Sequence, residues 1–234
     1  MANLIIDIGN TALKAAWADG ITLGRTFRYQ GERMLEFILS LVDKDRPDTI
    51  ILSSVRKFTN DQIVRLESAC ERLLVMNEEI LDRFSIPSYI TPDRAASIVA
   101  AKYLFKGRGC SVFDFGTMIS IDEIDKDGRY KGGFISPGCM TRFKSIHRYS
   151  KHLPLLSMPE DTEGECLSLS SSISCGVISG IVFEIEGHIC RNPENIIVFT
   201  GGDANYFAKR MKSSIFVVCN LVLLGLALIA NGFE

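Results

Sequence analysis

Two short stretches place the same residue types in the same order where an apolar run ends. One is Asp7-Ile8-Gly9-Asn10-Thr11, closing the run at 3–8. The other is Asp114-Phe115-Gly116-Thr117, following the run at 110–113. Glycine lets the backbone turn tightly and lets a ligand come close. Successive backbone N–H groups in such a turn make an anion-binding concavity, and threonine adds a hydroxyl donor. An aspartate repels phosphate directly, so its place here makes sense when a cation sits between the two. Two such turns facing each other would clamp a polyphosphate and its Mg²⁺. Either one alone reads as well as an ordinary turn; the repetition favours the phosphate reading.

Other residues carry chemistry with less force. Thr200-Gly201-Gly202 follows an apolar run and reads either as a plain strand-to-helix turn or as a place where an adenosine lies against backbone. Asp93-Arg94 after Pro92 reads as a helix N-terminus with a capping acid, or as a carboxylate and guanidinium available to a substrate. Gly132-Gly133 and Pro137-Gly138 say only turn. His147, His152 and His188 lie in no motif, and none is assigned a catalytic role. The seven cysteines, at 70, 110, 139, 166, 175, 190 and 219, are odd in number and form no CxxC. They read as reduced, mostly buried thiols of a cytoplasmic protein, with no close Cys/His pairs for zinc.

The elements that must position these residues follow from the apolar pattern. Strands are expected over 3–8, 12–18 and 21–29, with Asp19-Gly20 as a hairpin turn. A helix follows at 31–45, with Met34, Leu35, Ile38, Leu39 and Leu41 on its apolar positions. Next come a strand at 49–55, a helix at 59–71, a short strand at 73–76, a loop at 85–92 and a small-residue helix at 94–105. The second stretch then repeats the outline of the first: strands at 110–113, 118–124 and 130–136, with Asp127-Gly128 as the turn. Helices at 139–150 and 170–190, a strand at 195–200, a helix, and a last strand and helix within 215–230 complete the chain. A repeat of this size implies α/β architecture in two similar lobes, 1–107 and 108–234, facing each other across a cleft.

Composition excludes several classes. The 234 residues carry 26 basic and 28 acidic side chains, a net charge of −2, so no basic footprint for nucleic acid exists. With 47% apolar and 23% charged residues the chain is composed like a folded globular protein. MANLIIDIGN lacks the basic region of a signal peptide. The apolar segment 215–230 is short for a bilayer span and is interrupted by Asn220, so it reads as a buried strand and helix.

The ordered set LIIDIGNTALKAAW at 4–17, PDRAASIVAA at 92–101, DFGT at 114–117, DGRYKGGFISPG at 127–138, TGGDA at 200–204 and LVLLGLALIAN at 221–231 resembles the type III pantothenate kinases. These are members of the acetate and sugar kinase/heat-shock protein/actin superfamily, with two actin-like (ribonuclease H-like) lobes. The resemblance spans nearly the whole chain. It implies transfer of the γ-phosphoryl of ATP to the primary hydroxyl of pantothenate, the first step of coenzyme A biosynthesis. It also implies a cytoplasmic homodimer that needs Mg²⁺ and a monovalent cation, K⁺ or NH₄⁺, and binds neither nucleic acid nor membrane. Asp7, Ile8, Gly9, Asn10, Thr11, Ala12, Leu13 and Lys14 match the family's ATP-binding turn, and Thr117 its second ATP contact. Asp114 matches the ligand of the monovalent cation. Asp93 matches the catalytic base; Arg94 and Tyr89 match pantothenate contacts. Phosphoryl transfer passes through a loose transition state, so positioning and charge neutralisation dominate. An ordinary aspartate is a weak base toward an alcohol, so Asp93 would act chiefly by orienting the hydroxyl. Arg94 has the planar fork that suits a carboxylate.

Two departures fall on the acceptor side. The family's glycine two residues before the catalytic aspartate is replaced by Thr91 in a compressed Tyr89-Ile90-Thr91-Pro92-Asp93-Arg94. The family's Asn-Thr pair before a second-lobe helix corresponds to Leu167-Ser168-Leu169-Ser170, and no residue is carried over there. Beside an active pantothenate kinase, two alternatives are therefore a related kinase with a different small-molecule acceptor and a non-catalytic accessory or regulatory member of the family. The 94–105 helix and the last helix are candidate dimer contacts, since small residues allow close approach.

Overall fold

A computed structural model of the chain describes residues 2–43, 45–160 and 166–233. The elements run β1 (Ala2–Ile8), β2 (Leu13–Asp19), β3 (Thr22–Tyr29), α1 (Met34–Val42), β4 (Thr49–Ser54), α2 (Asn60–Ser68), β5 (Arg72–Val75), α3 (Glu78–Arg83), α4 (Pro92–Leu104) and β6 (Cys110–Phe115). They continue with β7 (Met118–Ile124), β8 (Tyr130–Pro137), α5 (Cys139–Tyr149), α6 (Leu169–Arg191), β9 (Ile196–Gly201), α7 (Ala204–Ala208), β10 (Ile215–Val217) and α8 (Leu221–Ala230). The expected elements are present; the sequence pattern missed the six-residue α3, capped by Asn77.

The chain divides into two compact units, Met1–Lys106 with Asn220–Glu234, and Gly107–Cys219. The first holds a sheet of order β3-β2-β1-β4-β5 and the second one of order β10-β9-β6-β7-β8. In each, the first three strands form an antiparallel meander and the next two lie parallel to the first. That is the ribonuclease H-like order, twice. Residues 220–234 were expected in the second lobe, yet α8 packs on β1, β4 and α4 of the first unit. Nearly every side chain of α8 is buried, which is possible only where apolar surface surrounds a helix on all sides.

In the first unit β1 is buried from Asn3 to Ile8, as a strand covered on both faces must be. Leu4, Ile6 and Ile8 meet Met34, Leu35 and Ile38 of α1 and Leu66 of α2. On α8, a Cβ at Gly225 would collide with the backbone carbonyl of Ala96 in α4. The small residues of α4 and α8 thus serve their contact with each other, and α4 is buried from Arg94 through Ala101. The faces that these small residues form are therefore occupied within the first unit.

In the second unit the core is aromatic. Phe115 packs on Phe199 at 4.8 Å and on Phe207 at 5.2 Å between ring centroids. Val177, Ile178, Ile181 and Ile185 of α6 close over this cluster. At 23 residues, with a mean hydropathy of 1.4 over an 18-residue stretch, α6 is long and apolar enough to cross a membrane by length and composition; here one face of it covers the sheet. The cysteine reading is corrected in part. Cys166 and Cys175 form a disulfide with Cα atoms 6.4 Å apart. The chain turns at the Ser168/Ser171 capping box and brings Cys166 back beside α6, a proximity no spacing rule announces. Cys70, Cys110 and Cys139 are free and buried, Cys190 and Cys219 free and exposed.

Candidate active site

The first turn is the β1–β2 hairpin. Asp7 pairs with Lys14 across it, and Ile8 with Leu13. This leaves Gly9, Asn10, Thr11 and Ala12 as the loop, closed by a hydrogen bond from Gly9 N–H to the Ala12 carbonyl at 3.1 Å. Ile8 and Leu13 point into the core, so only their backbones are available to a ligand. Asn10 and Thr11 are exposed. The Asp7 carboxylate is buried and accepts a hydrogen bond from the Ser53 hydroxyl at 2.9 Å. Arg56, just beyond β4, donates to the Asn10 carbonyl at 3.1 Å and ties the loop down. Neither Ser53 nor Arg56 was singled out by the sequence; each lies at the end of β4, which runs parallel beside β1.

The same unit carries the acceptor-side residues. Thr91 is the N-cap of α4, with φ −65° and ψ 150°, the extended geometry that the following proline imposes. Pro92 takes the first helical position, where its missing N–H costs nothing. Asp93 lies in the first turn and accepts a hydrogen bond from the Arg94 N–H at 3.0 Å, where the helix dipole favours an anion. Arg94 is buried, whereas Tyr89 is 69% exposed two residues before the cap. The capping reading of Asp93 therefore describes its local geometry and leaves it at the open end of a helix.

The second turn is the β6–β7 hairpin. Asp114 pairs with Ser120 across it and lies beside Thr200 of β9. Gly116 and Thr117 are exposed, and Gly116 N–H bonds the Met118 carbonyl at 3.0 Å. This turn is wedged from two sides by backbone. A Cβ at Gly138 would strike the carbonyls of Gly116 and Thr117, and one at Gly201, whose φ is +91°, would strike the Asp114 carboxylate and the Phe115 backbone. The Thr141 hydroxyl donates to the Thr117 carbonyl at 2.6 Å, and Gly138 N–H to the same oxygen at 3.0 Å. Pro137-Gly138, legible only as a turn, is thus a support of the phosphate-type loop.

Cation chemistry fits these residues in a limited way. Among the described residues no group of three or more His, Cys, Asp or Glu is arranged around a metal. Mg²⁺ usually needs only one or two carboxylates beside the phosphates it bridges. Glycine at 201 keeps the Asp114 carboxylate clear of the side chain that any other residue would press against it. Burial pushes the Cys139 thiol up to about 11 and raises the Asp203 carboxyl above its ordinary value. On the segment before α6, Ser168 and Ser171 cap the helix reciprocally. Ser172 donates to the Cys166 carbonyl at 3.0 Å. Those three hydroxyls are engaged locally, so none of them stands in for the family's threonine without breaking a bond.

The model of the type III pantothenate kinase family matches residues 3–191. A type III pantothenate kinase of Phocaeicola vulgatus is 35% identical over 232 residues, covering 96% of each chain. That of Cytophaga hutchinsonii is 34% identical over 235 residues, covering 98% of each. Among solved structures, a protein described as a conserved putative Baf family transcriptional activator from Campylobacter jejuni superposes with a TM-score of 0.68 at 22% identity. It covers 97% of this chain and 96% of its own, a likeness of fold.

Proposed function

We propose, since this chain belongs to the type III pantothenate kinase family, that it transfers the γ-phosphoryl of ATP to the primary hydroxyl of pantothenate, the first step of coenzyme A biosynthesis. It is an ATP-dependent phosphotransferase with an alcohol acceptor. The observation that carries the residue assignment is the repeated turn: Asp7 and Asp114 occupy the same register position in two sheets of the same order.

In this reading the loop from Gly9 to Ala12 and the exposed Gly116-Thr117 bind phosphate through backbone N–H groups and hydroxyls. Lys14 offsets triphosphate charge. Mg²⁺ bound with ATP, and K⁺ or NH₄⁺ at Asp114, supply further neutralisation of the developing charge. In Thr200-Gly201-Gly202 the two glycines, after the buried Thr200, give the adenosine a wall without side chains. Asp93 orients the pantothenate hydroxyl and accepts its proton as the bond to phosphorus forms. Arg94 binds the pantothenate carboxylate, and exposed Tyr89 covers the acceptor. The family's cytoplasmic homodimer, with neither nucleic acid nor membrane as partner, completes the reading; the net charge of −2 agrees with it.

The test is an ATP-dependent phosphorylation assay with pantothenate, Mg²⁺ and K⁺, run beside Asp93→Asn. Product from the natural chain is expected, with at least about a 100-fold loss in the variant, the lower end for a positioned acid–base group. Product formation undiminished by Asp93→Asn removes Asp93 from the mechanism. ATP binding without phosphopantothenate points to a different acceptor, and absence of ATP binding to a non-catalytic member.

A further inference from the structure

Asp203 begins the short α7 directly after Gly201-Gly202, the position at which an aspartate ordinarily caps a helix. Its side chain makes no capping hydrogen bond. Among the described residues nothing donates to its carboxylate and no cation neutralises it; burial alone acts on it, and raises its pKa. Its location is nevertheless firm. The Asp203 N–H bonds the Phe115 carbonyl at 3.3 Å, one residue before the Gly116-Thr117 turn. Its carboxylate is near enough to Cys139, the first residue of α5, to raise that thiol's pKa. On its other side Gly202 is exposed, and a Cβ there would meet only the Phe115 carbonyl, at 3.9 Å. A half-buried carboxylate without a partner is unfavourable for folding, and such sites are where function is expected to reside.

We infer that Asp203 is a nucleotide-selecting residue whose carboxylate accepts hydrogen bonds from the vicinal ribose hydroxyls of ATP. The inference rests on the kinase reading and deepens it. Phosphate at Gly116-Thr117 and a base against Gly202 leave the sugar as the part of the nucleotide between them, and that is where Asp203 is tied. A carboxylate is acceptor-only with two oxygens, which matches a diol that presents two donors. A base edge would need a donor as well.

The test measures binding of ATP, 2′-deoxy-ATP and 3′-deoxy-ATP to the full chain and to Asp203→Asn and Asp203→Ala. Asn keeps the shape should Ala disturb the turn. The natural chain is expected to bind ATP about 10- to 100-fold more tightly than at least one deoxy analogue, the range for a hydrogen bond to a charged group. In both variants that ratio falls toward one while binding of the deoxy analogues is nearly unchanged. Equal binding of all three nucleotides by the natural chain overturns the inference. So does a ratio that survives substitution. A parallel loss of all three nucleotides also overturns it and assigns Asp203 to the turn's structure or to the cation. A natural chain that binds no nucleotide removes the kinase reading and this inference with it, an outcome distinct from the other three.

Discussion

Asp7 and Asp114 each stand one residue before the end of the first strand of their sheets. Each has a hydroxyl residue beside it on the parallel neighbour, Ser53 and Thr200 respectively. Across the hairpin they differ: Asp7 faces Lys14 and Asp114 faces Ser120. The supports differ as well. The first loop is held by side chains, Ser53 and Arg56. The second is wedged between two backbones at Gly138 and Gly201. One frame thus yields a turn that carries its own cation and has steric room, and another that has no lysine and no room. The first depends on charge and the second on close approach.

The largest expected effect breaks the second turn by volume. Gly201→Ala combines a positive φ with a backbone collision and should cost about 3 kcal/mol or more, with ATP binding lost. Gly9→Ala meets only the Ala12 carbonyl at an ordinary 3.6 Å and should shift stability by about 1 kcal/mol or less. Denaturant midpoints of the two variants check the contrast, and equal losses would dissolve it. Charge should show the opposite order. Lys14→Ala is expected to lower kcat/KM about 100-fold, the scale for one electrostatic contact to a transferring phosphoryl group, while Ser120→Ala changes it only a few-fold. Steady-state kinetics on both variants decide this.

A smaller effect tests the side-chain support of the first turn. Ser53→Ala removes the hydrogen bond to the buried Asp7 carboxylate and should destabilise by about 1–2 kcal/mol, read by chemical unfolding. The smallest concerns the carboxylate beside the second turn. Burial raises the folded-state pKa of Asp203 above its unfolded value, so the folded state binds this proton more readily. That favourable contribution is complete below the unfolded pKa and is lost as pH rises through the folded one. Asp203→Asn should therefore be more stable than the natural chain at neutral pH, with the difference closing as pH falls below the ordinary carboxylate range. Melting temperatures across that range check the sign; a variant less stable at pH 7 would show an unrecognised partner for the carboxylate.

Much of this was legible beforehand, for identifiable reasons. The Asp19-Gly20 and Asp127-Gly128 turns carry glycines at φ +56° and +78°, the conformation that such dipeptides favour. The start of α4 was written in Pro92-Asp93. What escaped notice was short or distant. α3 offers only Ile80 and Leu81 as buried positions over six residues, too few to show a period. Ser53 and Arg56 act on β1 across a parallel pairing, and a serine or arginine at a strand end has no distinguishing neighbours. The disulfide joins one cysteine before a cap to another inside a helix, at a spacing shared by many unbonded pairs.

The sequence by itself determined the repeat, the succession of strands and helices along the chain apart from α3, the two Asp-x-Gly turns and the family. Each of these is encoded within a few residues, in alternation, in a turn glycine or in a contiguous motif. Tertiary structure decided which glycines are wedges, that α8 completes the first unit, that Cys166 meets Cys175, and that Asp203 is left without a capping bond. Those outcomes depend on how closely segments far apart in the chain approach, and glycine at a wedge is spelled the same way as glycine at an open turn. Collision with Gly116, Phe115 or Ala96 exists only once the chain is folded.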